Sequence, residues 1–212
     1  MLNLATDWLL EFAKSSDPAT ESERKQLTDS LASSASAYLR SFDPTPEGES
    51  YVGALASGAA GGGLADMPLV PVHGDYWVAN IYGTERVEGI IDWEYYRPFG
   101  LPLFDTSMLC ISSSLAFCRY PGRSVVAAAL KACLFEANPV SSACADAMKR
   151  YARALKIPWD ARQIEDLIAW WLVCLSVREF ETYGSHFTMD PRWRDAFLGF
   201  LDLREQRFWH SS

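Results

Sequence analysis

Residues 73–94 read His-Gly-Asp-Tyr-Trp-Val-Ala-Asn-Ile-Tyr-Gly-Thr-Glu-Arg-Val-Glu-Gly-Ile-Ile-Asp-Trp-Glu, and the rest of the chain is best understood outward from them. Leu69-Val70-Pro71-Val72 has the composition of a short strand that delivers the chain into His73. Ile81-Tyr82 and Val87 to Ile91 form two further strands joined by a turn at Gly83 to Arg86. The predicted order is strand, loop, hairpin.

On both sides of this stretch the periodicity is helical. Ala5, Trp8, Leu9 and Phe12 recur at the spacing of one helix face, and that helix is expected to end near Ser15 to Pro18. Thr20 with Glu23 has the form of a capping box. It opens a longer helix whose face is Leu27, Leu31, Ala35, Tyr38, Leu39 and Phe42, and Asp43-Pro44 stops it. Residues 43–66 combine Pro, Ser and repeated glycines and are expected to be a flexible loop. The triplet Gly61-Gly62-Gly63 inside it lacks the Lys-Ser/Thr of a phosphate loop, so no phosphate cradle is expected there.

Beyond the central stretch, Asp105 is expected to cap a helix running to Phe117. Arg123 to Phe135 and Ser141 to Leu155 are predicted as two more. Asp160 with Gln163 caps a helix with the apolar stripe Ile164, Leu167, Ile168, Trp171, Leu172 and Leu175. Asp190-Pro191 opens a final helix that turns Trp193, Phe197, Phe200 and Leu201 inward. With no internal repeat and no clear linker, the expected fold class is α+β, mainly α, as one domain over residues 1–212 with a small β-hairpin insert.

Composition narrows the function classes. The 212 residues carry 19 basic and 27 acidic side chains, a net charge of −8, which argues against nucleic acid as partner and favours a neutral or cationic ligand. Five cysteines without a C-x-x-C pair, each in an apolar or Ala-rich setting, read as reduced thiols in a cytoplasmic protein. Only three histidines are present and none lies near a cysteine, so no zinc site is expected. The first residues lack a basic segment followed by an apolar run, and no window of about eighteen apolar residues occurs, so neither secretion nor membrane insertion is expected.

The chemistry gathers in the opening stretch. Asp75 and Asn80 stand five apart, so a carboxylate and an amide oxygen can project from one loop, the first toward a substrate hydroxyl and the second toward Mg²⁺. Asp92 ends an apolar strand and is returned by the hairpin beside Asn80. Hard oxygen donors of this kind suit Mg²⁺ together with nucleotide phosphates, and Asp75 would be left to accept the hydroxyl proton. Taken singly, each residue also has a plain structural reading. Asp75 could be a turn acid and Asp92 a strand-end cap, Glu94 could reach the metal or the substrate or be a solvated or helix-capping acid, and His73 reads more readily as a hydrogen-bonded structural histidine than as a base. Trp77, Tyr95 and Tyr96 could line the substrate side or belong to the core. Glu165, Asp166, Glu179 and Glu181 could attract a cationic substrate or form a solvated face, and His186 and His210 read as surface residues.

His73-Gly74-Asp75-x-x-x-x-Asn80 followed by Ile91-Asp92-Trp93-Glu94 resembles the catalytic loop and metal motif of the aminoglycoside phosphotransferase family, which shares the protein-kinase-like fold. The resemblance implies that Asp75 is the catalytic base, that His73 supports the catalytic loop, and that Asn80 and Asp92 bind Mg²⁺ and with it ATP. Gly100-Leu101-Pro102 with Asp105 is similar to the family's next segment, where the acid caps a helix and buttresses the loop. On this resemblance the chain is the helical C-terminal lobe of a kinase-like fold. The family's N-terminal β lobe, with its nucleotide-covering loop and phosphate-contacting lysine, finds no counterpart, so the chain alone is expected to be inactive or weak. The alternative is a non-catalytic binding or interaction module. Expected partners are a small-molecule substrate, cationic by preference, and either a second copy of the chain or a separate N-terminal lobe. Neither nucleic acid nor membrane is expected.

Overall fold

The computed structural model describes residues 1–60, 67–117, 125–184 and 192–203, and these form a mainly helical fold with two small antiparallel sheets. The helices are α1 Leu2–Lys14, α2 Glu21–Ser41, α3 Pro46–Ala60, α4 Phe104–Phe117, α5 Val125–Leu134, α6 Pro139–Ala154, α7 Ala161–Tyr183 and α8 Arg192–Leu203. The strands are β1 Val70–Val72, β2 Ile81–Tyr82, β3 Gly89–Ile90 and β4 Arg97–Gly100. The expected class, α+β and mainly α, is the one observed. Among the described residues no helix is long and apolar enough to cross a membrane.

The apolar stripe of α7 forms the centre of the core. Ile164, Leu167, Ile168, Trp171 and Leu172 are all buried, and α7 packs against α2, α4 and α8. Trp193, Phe197, Phe200 and Leu201 of α8 close this core from the other side, as their spacing predicts. The Asp160 carboxylate accepts from Gln163 N at 3.0 Å and caps α7. The Thr20–Glu23 box at the head of α2 is formed in both directions. α6 starts two residues before the expected Ser141, because Asn138 and Ser141 make a reciprocal box with Pro139 at the first helical position. The expected opening of α8 at Asp190-Pro191 lies outside the described residues, as do Gly61-Gly62-Gly63, Cys118, His186 and His210.

The segment expected as a loop over 43–66 is a correction: residues 46–60 of it are α3. Its start signal is Thr45-Pro46. The Thr45 hydroxyl accepts from Gly48 N at 3.2 Å, Pro46 follows it, and Glu49 N donates to Thr45 O at 2.8 Å. Glycines at 48, 53 and 58 each disfavour a helix by about 1 kcal/mol. Burial of Tyr51, Val52 and Leu55 against α2, with a Tyr51 hydroxyl bond to Asp166 at 3.0 Å, outweighs that local preference.

The expected hairpin is present but short, with Ile81 opposite Ile90 and Tyr82 opposite Gly89. Gly83 turns it at φ 133°, where an added Cβ would lie 1.9 Å from Arg86 O, so glycine is required. A strand with no counterpart in the sequence reading, β4, pairs antiparallel with β1, Val70 opposite Gly100 and Val72 opposite Arg97. Pro98 hides it from the sequence pattern, since proline is tolerated in strands only where no ladder bond is needed. This β1–β4 pair anchors both ends of the stretch 73–96.

Candidate active site

β1 ends at Val72, and the next three residues form the loop His73-Gly74-Asp75. Gly74 has φ 82°, and a Cβ there would stand 2.5 Å from Tyr95 O, so the loop can lie this close to the Tyr95 backbone only with glycine. Asp105 holds the loop from beneath: its two carboxylate oxygens accept from His73 N at 2.7 Å and Gly74 N at 2.9 Å. α4 begins at Phe104, so Asp105 stands inside the first turn and its carboxylate serves the loop, not the helix end as the capping expectation had it. Burial pushes the Asp105 carboxyl up to about 7, opposed by those two N–H donors, which favour the ionised form.

His73 is fully buried and ties the loop to the hairpin. Its Nδ1 accepts from Asp75 N at 3.2 Å, which leaves the proton on Nε2 to be donated to Ile91 O at 3.0 Å. Burial lowers its pKa below the usual value, against the pull of the Ile91 bond and of Asp75 and Asp92, so the ring is neutral near pH 7. Trp93 packs edge-on against the ring, centroids 4.5 Å apart.

Asp75 and Asn80 are in direct contact. The Asn80 side-chain Nδ2 donates to Asp75 O at 2.9 Å and Asp75 Oδ2 at 3.2 Å. With the amide nitrogen committed to Asp75, Asn80 Oδ1 is the atom available to a cation. A turn of 3₁₀ helix over Val78–Asn80 makes the contact, and Val78 N donates to Ser112 Oγ on α4 at 3.1 Å to hold it. Ile91 N donates to Asn80 O at 3.1 Å and brings the segment ahead of Asp92 alongside. Asp92 is exposed and adopts φ 66°, a left-handed conformation uncommon outside glycine.

Asp75 and Asp92 line one open cleft of about 280 Å³, with Glu94 and Glu179 adding acids and Trp77 and Tyr95 adding aromatic faces. Asn80 does not line it and reaches the cleft through Asp75. Tyr96 stands elsewhere, exposed beside Trp93 and Phe12. Of the other acids proposed for a cationic ligand, Glu165 is buried and Asp166 bonds Tyr51 and Arg162, so neither lines the cleft. Among the described residues no three His, Cys, Asp or Glu side chains stand together as a metal site, so an ion in the cleft would draw on Asp92 together with substrate and water oxygens.

Arg178 of α7 is the residue the sequence reading missed. Its NH1 donates to Gly74 O at 2.6 Å, its NH2 lies 3.5 Å from Asp75 Oδ1, and its guanidinium stacks 4.0 Å from the Tyr95 ring centroid. The sequence carries one hint of it: a charged pair, Arg178-Glu179, directly after the buried apolar stripe, where a helix facing only the core would continue apolar.

Comparison with known families places residues 8–141 in the phosphotransferase enzyme family (APH), a match that covers more than half of the chain and includes His73 to Glu94 and Asp105. No curated protein and no solved structure matches the chain. The matched range contains the loop, the hairpin and Asp105, and the chain is a member of the phosphotransferase enzyme family.

Proposed function

We propose that this protein transfers the γ-phosphoryl group of ATP to a hydroxyl of a small molecule, and that residues 1–212 are the catalytic and substrate-binding lobe of a protein-kinase-like fold. The observation that carries the reading is the contact between Asp75 and Asn80 at a cleft that Asp92 also lines. On this reading Asp75 accepts the proton of the attacking hydroxyl. Asn80 Oδ1 and the Asp92 carboxylate are hard oxygen donors that fit Mg²⁺, an ion that keeps waters and phosphate oxygens as its remaining ligands. When bound, Mg²⁺ supplies positive charge to the phosphoryl oxygens. His73, neutral and bonded at both nitrogens, orients the loop and takes no part in proton transfer.

The cleft supports a substrate that joins a hydroxyl to a cationic group. Glu94 and Asp92 are exposed in it, and Glu179 adds a further acid that favours a cation. The free thiols Cys110, Cys133, Cys144 and Cys174 support a reducing, cytoplasmic setting.

The test is ADP release from Mg²⁺–ATP with a panel of hydroxylated amines, sugars and hydroxy amino acids. Turnover that falls by about 10²-fold or more in Asp75→Ala supports the reading, and equal turnover in the variant overturns it. One observation favours a second reading as a non-catalytic binding module: Tyr82, Ile91, Trp93 and Tyr96 are exposed around the hairpin, an apolar face that a partner would cover. Absence of both turnover and calorimetric Mg²⁺–ATP binding selects that module.

A further inference from the structure

We infer that Arg178 is a positioning residue for the proposed reaction: it clamps the Gly74 carbonyl and the Asp75 carboxylate, so that the acceptor hydroxyl meets a carboxylate of fixed orientation. The inference rests on the phosphotransferase reading of the cleft and adds to it a residue outside the matched range 8–141.

Asp75 has two carboxylate oxygens, and a rotating carboxylate would be a poorly aimed base. Asn80 Nδ2 engages Oδ2 at 3.2 Å, and Arg178 NH2 stands 3.5 Å from Oδ1, so the group is approached from both sides. The stronger hold is on the backbone. Arg178 NH1 reaches Gly74 O at 2.6 Å, opposite the N–H groups of His73 and Gly74 that Asp105 grips. The loop's N–H donors are thus held from α4 and its Gly74 carbonyl from α7.

Three features keep the guanidinium in place. α7 is buried through Leu175 and Val177 just before Arg178, so the backbone that carries it is set by the core. Tyr95 lies under the guanidinium plane, and the Tyr95 backbone in turn abuts Gly74. The neighbouring acid Glu179 is taken by Arg192 at 2.6 Å and does not draw Arg178 away. The loop, the segment after Asp92 and the substrate-facing helix therefore meet at one side chain. A planar fork can bond two acceptors while stacking on a ring, and a lysine ammonium cannot reproduce all three contacts.

The test compares wild type, Arg178→Lys and Arg178→Met as full chains, by amide hydrogen exchange and by Mg²⁺–ATP turnover with the best acceptor from the panel. Expected are exchange at Asp75, Trp77 and Asn80 faster by about tenfold or more in both variants, with residues 164–175 of α7 unchanged. Expected also is a fall in kcat of about tenfold or more with KM for ATP within about twofold, lysine rescuing only part of the loss. Unchanged loop exchange overturns the clamp whatever the turnover. Faster loop exchange with unaltered kcat overturns its role in positioning. Faster loop exchange in a protein whose wild type turns over no ATP keeps the clamp and removes the phosphotransferase reading instead. Loss of protection along α7 as well would show a packing role and overturn the inference.

Discussion

Asp75 and Asp92 line the same cleft and are held in opposite ways. Asp75 sits in a loop whose donors are gripped by Asp105 and whose carbonyl is gripped by Arg178, and its side chain is 18% exposed. Asp92 is exposed two residues beyond the two-residue strand β3, in a left-handed backbone conformation, and its carboxylate makes no hydrogen bond among the described residues. A group that takes a proton from a substrate gains from being aimed before the substrate arrives. A group that binds a cation can be ordered by the cation itself, and burying it unpaired would be costly.

The sharpest way to break this contrast is to neutralise Asp92 and, on the other side, Asp105, the acid that holds the Asp75 loop. Asp92→Asn is expected to cut Mg²⁺-dependent turnover by about 10²-fold or more while leaving the thermal midpoint unchanged, because the side chain contributes no buried contact. Turnover and a melting curve on the same sample check both halves, and a lowered midpoint would show that Asp92 is structural. Asp105→Asn is expected to do the reverse and destabilise the fold by about 1–3 kcal/mol, because an amide nitrogen would face one of the two loop N–H groups. Chemical denaturation measures this, and a loss much below that range would mean the loop relaxes freely.

Gly74→Ala sharpens the loop side of the comparison. Positive φ with a Cβ 2.5 Å from Tyr95 O is expected to cost about 1–3 kcal/mol and to move the loop off Tyr95, so activity should fall with stability. A Gly74→Ala protein with wild-type stability would show that the close approach is not needed.

The smallest effect concerns pH. Burial lowers the His73 pKa below 6.5, so the unfolded chain takes up the proton first and the folded chain loses stability as pH falls below about 6.5. His73→Gln is expected to remove this part of the pH dependence in denaturation curves taken between about pH 7 and pH 5. Parallel curves for variant and wild type would mean that His73 is readily protonated in place.

Much of this is legible in the sequence alone. The strand into His73, the hairpin, the Asp160 cap and the inward face of α7 follow from local rules that the residues satisfy. The misreading of 46–60 came from weighing glycines above the Thr45-Pro46 start signal, since burial of Tyr51 and Val52 against α2 and the Tyr51–Asp166 bond are invisible to local propensity. β4 was missed because its partner β1 lies 25 or more residues away and Pro98 breaks the strand pattern.

The order and spacing of His73, Asp75, Asn80 and Asp92 determined the family and the type of chemistry proposed, because a loop and a two-strand hairpin are short-range structures that bring such residues together by themselves. What surrounds Asp75 was decided by the tertiary fold alone. Arg178 lies 103 residues from Asp75, and nothing in the spacing of the chain says that α7 should turn it toward Gly74. That placement follows from which face of α7 the core buries, a property of all the helices packed together.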